Sequence, residues 1–304
     1  MEISEKGGNE NRQKSAGSCE QAILLNVVIL TRTDNDEIYK MTLNAINTLI
    51  ESMGNEASNT RVTLVESNRE LAPDSHAYPS NVKVIIPPEA FNFNRFLNIG
   101  AAQCKADYYA FCNNDVVFYK DWFTHIKNVA QSHPEFGSFS PICPVSNRQA
   151  MFKEAGQPFV EGYNVTFEIS GWAIVIRSSV YESFKVFDEA FSFYFADDDY
   201  AMFLMKNGIK HALVIDSCVH HLESGKVSDV AAKPGDTTEV QNEKFFSRYN
   251  WIYRSPAMLA GYKHFHKKWC SMYRYAFTRK AFALLCVRLN IRFFSKILFL
   301  GMPR

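Results

Sequence analysis

Three short groups of acidic, amide and imidazole side chains have the residue types that enzyme active sites use. The first is NND at residues 113–115, directly after an apolar run. Its oxygen atoms are hard ligands of the kind that Mg²⁺ or Mn²⁺ prefers, and a diphosphate could complete the coordination shell. The second is DDD at residues 197–199, which follows a stretch rich in aromatic residues and begins a helical pattern. Carboxylates in apolar surroundings partly resist ionisation, which is the property that a general base needs.

A histidine pair and a glycine–tryptophan pair are the remaining candidates. His220 and His221 follow the apolar run ALVIDSCV, and imidazole at a strand end can ligate Mn²⁺ or donate to phosphate. Gly171 leaves the backbone bare beside the flat ring of Trp172, on which a sugar could stack. Each group also has a structural interpretation: NND as a turn, DDD as a helix cap, the histidines as structural or exposed residues, and the tryptophan as a core residue.

The elements that must position these residues alternate between strands and helices. Helical spacing predicts helices at residues 36–53 and 93–104, the first of them capped by Asp34 or Asn35. The order β-α-β-β-α-β predicts a largely parallel sheet covered by helices, in which ligands bind beyond the carboxyl ends of the strands. Apolar runs predict the strands at residues 23–31, 61–65, 82–86, 108–112, 173–176 and 212–219.

Several protein classes are excluded by what the sequence lacks. The dinucleotide-binding motif G-x-G-x-x-G and the phosphate loop G-x-x-x-x-G-K-[ST] are both absent. The seven cysteines are an odd number without a C-x-x-C pair, which argues against a disulfide framework and a structural zinc site. The first 22 residues lack the apolar centre of a secretory signal, and no window has the ~18 uncharged apolar residues of a membrane span. These features lead us to expect a cytoplasmic protein.

The basic residues are unevenly distributed along the chain. The formal net charge is only +1, but residues 244–304 contain 13 Lys and Arg and no Asp or Glu. Residues 1–243 contain 20 Lys and Arg and 32 Asp and Glu. Within the basic part, apolar residues recur every four positions between 285 and 297 beside a cationic stripe, as in helices that lie on a membrane surface. The same helix could instead pack on the acidic body or join two subunits, whereas nucleic acid would be repelled by that body.

The order and spacing of the motifs resemble those of the family 2 glycosyltransferases of GT-A fold. The resemblance covers roughly residues 24–226 and is most specific in FNFNRFLNIGAAQCKADYYAFCNND and VFDEAFSFYFADDDYAMFLMKNGIKHALVIDSCVHH. Members of that family transfer a sugar from a nucleoside diphosphate to a hydroxyl group with inversion at the anomeric carbon. The resemblance implies an α/β fold of GT-A type, with a mostly parallel, Rossmann-like sheet and helices on both faces.

The resemblance also implies which residue activates the acceptor. Asp197 matches the aspartate of the family's E-D motif, which acts as the general base. Because Ala196 stands where the family usually has glutamate, Asp198 or Asp199 could share the role.

The donor is expected to bind together with Mn²⁺ or Mg²⁺. Asp115 matches the metal ligand of the D-x-D-type motif, and His220 matches the histidine that closes the metal and diphosphate site in some members. Asn113 stands where the family usually has aspartate, which removes one charge at the metal or ribose. Glu66 also replaces an aspartate and adds a methylene at the base-binding position, so the identity of the nucleotide base stays open. The residues expected at the nucleotide sugar are Thr31, Arg32, Thr33, Glu66, Arg95, Asn113, Asn114, Gly171 and Trp172.

The expected organisation has three parts. Residues 1–22 are polar and aperiodic and are expected to be a disordered lead-in. Residues 23–243 form the glycosyltransferase domain, with a nucleotide-binding half at 23–118 and an acceptor half at 119–243. Residues 244–304 form the basic, aromatic, helical C-terminal segment, which gives the protein a peripheral position on a membrane.

The sequence therefore predicts an inverting, metal-dependent glycosyltransferase that uses a glycan or lipid-linked acceptor, as in polysaccharide biosynthesis. Two alternatives stay open. One is a non-catalytic nucleotide- or glycan-binding module of the same fold. The other is a sugar-phosphate nucleotidyltransferase, although the glycine-rich loop that such enzymes carry after the first strand is replaced here by TRTDND.

Overall fold

A computed structural model describes residues 23–71, 77–146, 148–153, 156–222 and 256–269 of the chain. The lead-in expected at residues 1–22 and the amphipathic pattern between residues 285 and 297 lie outside the described residues. The described residues contain one sheet of nine strands, and no helix among them combines the length and the apolar character that crossing a bilayer requires.

Strands and helices alternate through most of the described chain. The strands are β1 (Leu25–Thr31), β2 (Thr60–Glu66), β3 (Val82–Ile85), β4 (Tyr108–Asn113), β5 (Val116–Phe118), β6 (Phe136–Ile142), β7 (Phe159–Glu161), β8 (Ala173–Arg177) and β9 (Lys210–His221). The helices are α1 (Asp36–Ser52), α2 (Phe93–Ala101), α3 (Trp122–Ser132), α4 (Ala150–Lys153), α5 (Ser178–Tyr181), α6 (Ala196–Lys206) and α7 (Pro256–Lys268), with a 3-10 helix (Gly54–Asn59) between α1 and β2.

The sheet is parallel where the sequence predicts it to be. Its order is β3-β2-β1-β4-β8-β6-β9-β5, with β7 paired to β9. Strands β3, β2, β1 and β4 run parallel, whereas β8 is antiparallel to both of its neighbours. Because Thr31 lies opposite Glu66 and Leu30 opposite Asn113, the carboxyl ends of these parallel strands form one edge. The predicted α/β sheet is confirmed.

Strand β1 shows why the sheet needs helices on both faces. Val27 and Ile29 enter a core shared with α1 and α3. Val28 and Leu30, which point the other way, enter a second core shared with α2 and α6. A strand that is buried on both faces is apolar at every position rather than at alternate positions. The apolar run at the start of the sequence therefore becomes a central strand.

The start of α1 settles which residue caps it. The side-chain oxygen of Asn35 accepts the N–H of Ile38 at 3.0 Å, so Asn35 rather than Asp34 is the N-cap. An amide oxygen in this position satisfies one of the donors that a helix start leaves unpaired. Strand β1 ends at Thr31 and helix α1 begins at Asp36, so the start of α1 lies close to the sheet edge described above.

Candidate active site

The first turn of α6 brings Asp197 against the backbone of Gly171. A Cβ atom added to Gly171 would clash with the Asp197 carboxyl group, so only glycine leaves room for this carboxyl position. Both residues line one pocket together with Asn113 at the end of β4. Burial raises the pKa of Asp197 to about 6. A carboxyl group with this pKa is largely ionised at neutral pH and still basic enough to accept a proton.

The other two carboxyl groups of the DDD sequence have different surroundings. Burial raises the pKa of Asp198 to about 7, and the adjacent Asp197 and Asp199 add to the effect. Asp199 is only 1% exposed, and its pKa is raised by burial although Lys268 and Trp269 act in the opposite direction. Of the three, Asp197 is the one that lines the pocket, whereas Asp199 binds α7.

A second cluster lies where β5 pairs with the end of β9. Nε2 of His221 is 3.3 Å from Oδ2 of Asp115, and Asp115 is only 8% exposed. The ring of Trp172 stacks on the His221 ring with centroids 4.8 Å apart and an angle of 8° between the planes. The Leu222 N–H donates to the Asp115 carbonyl oxygen at 2.9 Å, which fixes this strand end against the NND turn. The carboxylate, the imidazole and the indole therefore form one packed group.

Gly171 and Trp172 connect the two clusters. Gly171 contacts Asp197, and the next residue, Trp172, stacks on His221 beside Asp115. The Asn113 N–H donates to the Trp172 carbonyl oxygen at 2.9 Å, which ties this dipeptide to the end of β4. The candidate base therefore contacts the first residue of this dipeptide, and the histidine beside the candidate metal ligand contacts the second.

The chemistry of this donor set is compatible with a divalent cation. No three His, Cys, Asp or Glu side chains in the described ranges come together as a complete metal site. Asp115 and His221 alone offer one hard oxygen ligand and one imidazole, a combination that suits Mn²⁺. Cations at phosphate-binding sites are often held by one or two carboxylates and completed by substrate phosphates and water. The cluster fits a cation that arrives with a diphosphate.

The structure brings His221, rather than His220, to Asp115. His220 is the preceding residue of β9, opposite Val117, and successive side chains of a strand point to opposite faces. The expected assignment of His220 to a metal is therefore not accompanied by a contact with Asp115, and His221 is the histidine that has one.

Thr31 and Asn114 lie in a buried hydrogen-bond network. The Asn114 side-chain amide donates to Oγ1 of Thr31 at 3.1 Å and to Oγ1 of Thr42 at 3.0 Å. The Thr42 hydroxyl in turn donates to the carbonyl oxygen of Ile38 within α1. This network joins the NND turn to β1 and α1, so Asn114 holds Asp115 in place through the backbone between them.

Glu66 organises the turn that follows β1. It is fully buried, and its carboxylate accepts the Thr33 N–H at 3.1 Å and the Asn68 N–H at 2.6 Å. The side chain of Arg32 is exposed and forms an ion pair with Asp34 at 2.9 Å. These residues lie at the carboxyl ends of β1 and β2, where the sequence places a nucleotide.

Arg95 faces a different part of the molecule from Glu66. Its Nε donates to Glu189 at 3.0 Å, and the Asn98 amide donates to the other carboxylate oxygen of Glu189 at 3.1 Å. The side chains of Asn92 and Asn94 donate to the carbonyl oxygens of Glu189 and Asp188. The start of α2 therefore fastens the loop that leads into α6.

Two groups of contacts were not anticipated from the sequence. One is His221 at Asp115, and the other is the pair Lys268 and Trp269 at Asp199. The HH pair can be recognised in the sequence, but which of the two histidines contacts Asp115 depends on the pairing of β9 with β5, which lie about 100 residues apart in the chain. The uneven charge distribution was the signal for Lys268, since a basic segment and an acidic body attract each other.

Comparison with solved structures shows the fold class. The structure of GalNAc-T7 with UDP, GalNAc and Mn²⁺ superposes with a TM-score of 0.53 at 12% identity, covering 66% of this chain and 44% of that one. The structure of S. aureus TarS residues 1–349 superposes with a TM-score of 0.47 at 15% identity, covering 65% of this chain and 59% of that one. In both cases this chain covers less than two thirds of the other protein. The fold is that of the GT-A glycosyltransferases.

Comparison with protein families gives a more specific result. Residues 35–184 match Glycosyl transferase family 2, a range that includes α1, the NND turn and the Gly171–Trp172 dipeptide. This match over residues 35–184 confirms the resemblance to the family 2 glycosyltransferases that the motifs predicted. A search of curated protein sequences finds no match.

Proposed function

We propose that this chain is an inverting glycosyltransferase that moves a sugar from a nucleoside diphosphate to a hydroxyl group of a glycan or lipid-linked acceptor. One observation carries the proposal: the Gly171–Trp172 dipeptide meets Asp197 at its first residue and, at its second, the ring of His221, which lies beside Asp115. An in-line displacement at a sugar carbon needs proton acceptance on one side and charge stabilisation on the other. The family 2 domain supports the same reaction class.

Asp197 is the proposed general base. Its carboxyl group faces the pocket beside Gly171 and has a pKa of about 6 because it is buried. In the reaction it accepts the proton of the acceptor hydroxyl as that oxygen attacks the anomeric carbon. Proton acceptance by a well-placed side chain is typically worth ~10²–10⁴-fold in rate. Attack from the face opposite the leaving group inverts the configuration at that carbon.

Asp115 and His221 are the proposed residues on the leaving-group side, and they would hold Mn²⁺ or Mg²⁺. Such a cation, when bound, neutralises the negative charge that the nucleoside diphosphate gains as the sugar departs. Stacking on Trp172 keeps the imidazole of His221 turned toward Asp115. A protein of the same fold, GalNAc-T7, was solved with UDP and Mn²⁺, which supports this choice of ligands.

The nucleoside is proposed to bind at the carboxyl ends of β1 and β2. Glu66 holds the Thr33 backbone there, and the exposed Arg32 and the Thr33 hydroxyl border the same turn. Thr31 and Asn114 act from beneath, since both belong to the buried network under the NND turn. Asn113 and Gly171 line the pocket between nucleotide and acceptor. Arg95, whose side chain binds Glu189, is proposed to contact the nucleotide sugar at the edge of this site.

A nucleotide- or glycan-binding module without catalysis is the second candidate. It is favoured by Asn113 and Ala196, which stand where the family usually has carboxylates. The raised pKa of Asp197 favours the enzyme instead, because a binding module has no need of a buried proton acceptor.

The test begins with ligand binding. The melting temperature of the full chain is measured with UDP, GDP, CDP and dTDP, each with Mn²⁺, with Mg²⁺ or with EDTA. Because a ligand that binds only the folded state stabilises it, one nucleotide should raise the melting temperature, and only in the presence of the cation.

Activity then separates the two candidates. Sugars linked to the selected nucleotide are incubated with Mn²⁺, and release of the nucleoside diphosphate is followed with and without simple glycoside acceptors. Turnover that EDTA abolishes supports the enzyme. Binding without any turnover supports the module, and binding of no nucleotide contradicts the proposal as a whole.

A further inference from the structure

Helix α7 covers the segment that leads into the candidate base. Phe265 is only 4% exposed and packs with Phe191 and Ala196. A Cβ atom added to Gly261 would lie 2.7 Å from the carbonyl oxygen of Tyr194, so the two backbones approach as closely as glycine allows. This part of the basic C-terminal segment therefore packs on the acidic body, beside α6.

Charged and polar contacts from the end of α7 converge on Asp199. Nζ of Lys268 lies 2.8 Å and 2.9 Å from the two carboxylate oxygens, and the Trp269 indole N–H donates to the same carboxylate at 3.0 Å. Lys268 also binds Asp188 at 2.9 Å, and Asp188 lies just before the aromatic-rich stretch that leads into α6. Because the Asp199 carboxylate is buried, truncating Lys268 would leave that charge without its ion pair, whereas Asp188 is partly exposed and also lies near His264.

Phe195, two residues before the candidate base, has a strained backbone. Phe195 is the N-cap of α6 and adopts the left-handed conformation, with φ of 66°. For a residue other than glycine this conformation is unfavourable and persists only where the surroundings enforce it. The Phe195 ring packs against Tyr262 and Phe265 of α7, which supply that support.

We propose that Lys268 and Trp269, at the end of α7, are positioning residues that hold the first turn of α6 so that the Asp197 carboxyl group stays at Gly171. The inference rests on the proposed glycosyl transfer and adds the end of α7 to the elements that position the general base. Neither residue contacts the Asp115–His221 pair in the structure. Their loss should therefore affect proton acceptance and leave nucleotide binding intact.

The experiment compares Lys268→Met with Lys268→Arg and with the control Lys263→Met, all in the full chain. Lys263 is an exposed lysine of the same helix, so its replacement removes the same charge without touching Asp199. Because misplacement of a catalytic group by about 1 Å can cost 10²-fold, we expect Lys268→Met to lower kcat at least about tenfold. The donor KM and the affinity for UDP with Mn²⁺ should change less than about twofold, and Lys268→Arg should recover most of kcat.

Hydrogen exchange provides a readout that does not depend on turnover. Amides of residues 191–200 should exchange faster in Lys268→Met than in the wild type and the Lys263→Met control. Should Lys268→Met fail to fold, Trp269→Phe removes the indole N–H donor while keeping an aromatic ring at this position, and it should show the same pattern with a smaller loss of kcat.

Each outcome decides between the inference and its alternatives. A Lys268→Met variant with wild-type kcat overturns the positioning role while leaving the transferase intact. An equal loss of kcat and of UDP–Mn²⁺ affinity, not restored by arginine, shows general destabilisation and also overturns it. A wild-type chain that neither binds UDP with Mn²⁺ nor turns over any nucleotide sugar overturns the proposed function first, and the positioning role with it.

Discussion

At the scale of single residues, Asp197 combines the position and the proton affinity that a general base requires. Its carboxyl group touches the backbone of Gly171, and burial raises its pKa to about 6. Asp198 is adjacent and has an even higher pKa, but it does not line the pocket. Position therefore distinguishes Asp197 from its neighbours where proton affinity alone does not.

Replacing Asp197 with asparagine should abolish most of the turnover. Asparagine keeps the shape of the side chain but cannot accept a proton, so we expect kcat to fall ~10²–10⁴-fold while the affinity for the nucleotide changes little. Steady-state kinetics with the selected donor measure both quantities. Asp216→Asn, at an exposed position of β9, is the matched control and should behave as the wild type. A wild-type rate for Asp197→Asn would assign the base elsewhere.

The pH profile should report the same group. Because the base must be ionised, kcat should rise with pH through a pKa of about 6 and level off above pH 7. Measuring kcat between pH 5 and 8 tests this, and the residual activity of Asp197→Asn should lack the step. A flat wild-type profile across this range would contradict a base with this pKa.

Gly171→Ala should impair turnover more than stability. The added methyl group meets the end of the Asp197 side chain, which can rotate away at little cost but then leaves its position. We expect at least a tenfold loss of kcat, in line with the sensitivity of catalysis to small displacements, and a small change in melting temperature. Gly162→Ala, where the methyl group would meet the carboxylate of Glu168 outside the pocket, is the matched control. Equal losses in both variants would contradict the special role of Gly171.

The sequence predicted single residues where chemistry and local context coincide. The apolar residues before DDD indicated carboxyl groups that resist ionisation, and the resemblance to the family's E-D motif selected Asp197, whose raised pKa is the expected one. The sequence assigned His220 to the metal, whereas the structure brings His221 to Asp115, because the choice follows from the register of β9 against β5. Register is a tertiary property, and a shift by one residue exchanges the two faces of a strand. The site assignments themselves await the experiments above.

At the scale of elements, a buried polar network fixes α6 to the sheet. Oγ of Ser138 lies 2.6 Å from the Tyr200 hydroxyl and 2.7 Å from Nδ1 of His211, whose Nε2 lies 3.0 Å from the Glu168 carbonyl oxygen. A carbonyl oxygen can only accept, so Nε2 carries the proton, Nδ1 accepts from Ser138, and Tyr200 donates to Ser138. The network joins α6, three residues after Asp197, to the loop before Gly171.

The state of His211 makes this network sensitive to acid. Burial lowers the pKa of His211 from 6.5 to about 4, so the folded protein keeps the ring neutral while the unfolded chain protonates it. The stabilisation is therefore complete above pH 6.5 and is lost as pH falls toward 4, by about 3 kcal/mol at 1.36 kcal/mol per pKa unit. Urea denaturation at pH 7.5 and pH 5 measures the slope. The raised pKa values of Asp197 and Asp198 act in the opposite direction over this range, equally in the wild type and the variant, so the comparison between the two proteins isolates His211. His211→Gln should be less stable than the wild type at pH 7.5, and this deficit should shrink at pH 5. A deficit of the same size at both pH values would contradict this account.

Elements were more predictable than contacts between elements. The strand β1 and the helix α1 could be inferred from burial on both faces and from spacing, which are local properties of the sequence. The antiparallel position of β8 between β4 and β6 could not be inferred, because the first four of its five residues are as apolar as those of a parallel strand. The docking of α7 was likewise left open, since attraction between opposite charges does not select a surface.

At the scale of the whole molecule, the basic C-terminal segment has two tasks in this account. Its described part, α7, packs on the acidic body through Lys268. The sequence after residue 269 retains seven Lys and Arg and no acidic residue, and we propose that it contacts an anionic membrane surface where a lipid-linked acceptor would be held.

Neutralising the cationic stripe should weaken membrane binding. Each Lys or Arg near an anionic surface contributes about 1 kcal/mol, so replacing Arg288, Arg292 and Lys296 with glutamine should reduce partitioning to phosphatidylglycerol vesicles about 100-fold. Vesicle flotation of the full chain measures this. The control replaces three exposed lysines of the body, Lys40, Lys83 and Lys120, and should float as the wild type does. Equal flotation of both triple variants would argue against a specific membrane contact.

The most direct measurement is a crystal structure of the Asp197→Asn variant with Mn²⁺ and the nucleotide sugar that stabilises the chain most. We expect the cation at Asp115 and His221, the diphosphate on that cation, and the anomeric carbon facing residue 197 across Gly171. A cation bound away from Asp115, or a sugar whose anomeric carbon faces away from residue 197, would contradict the central claim that these two groups act on opposite sides of one sugar ring.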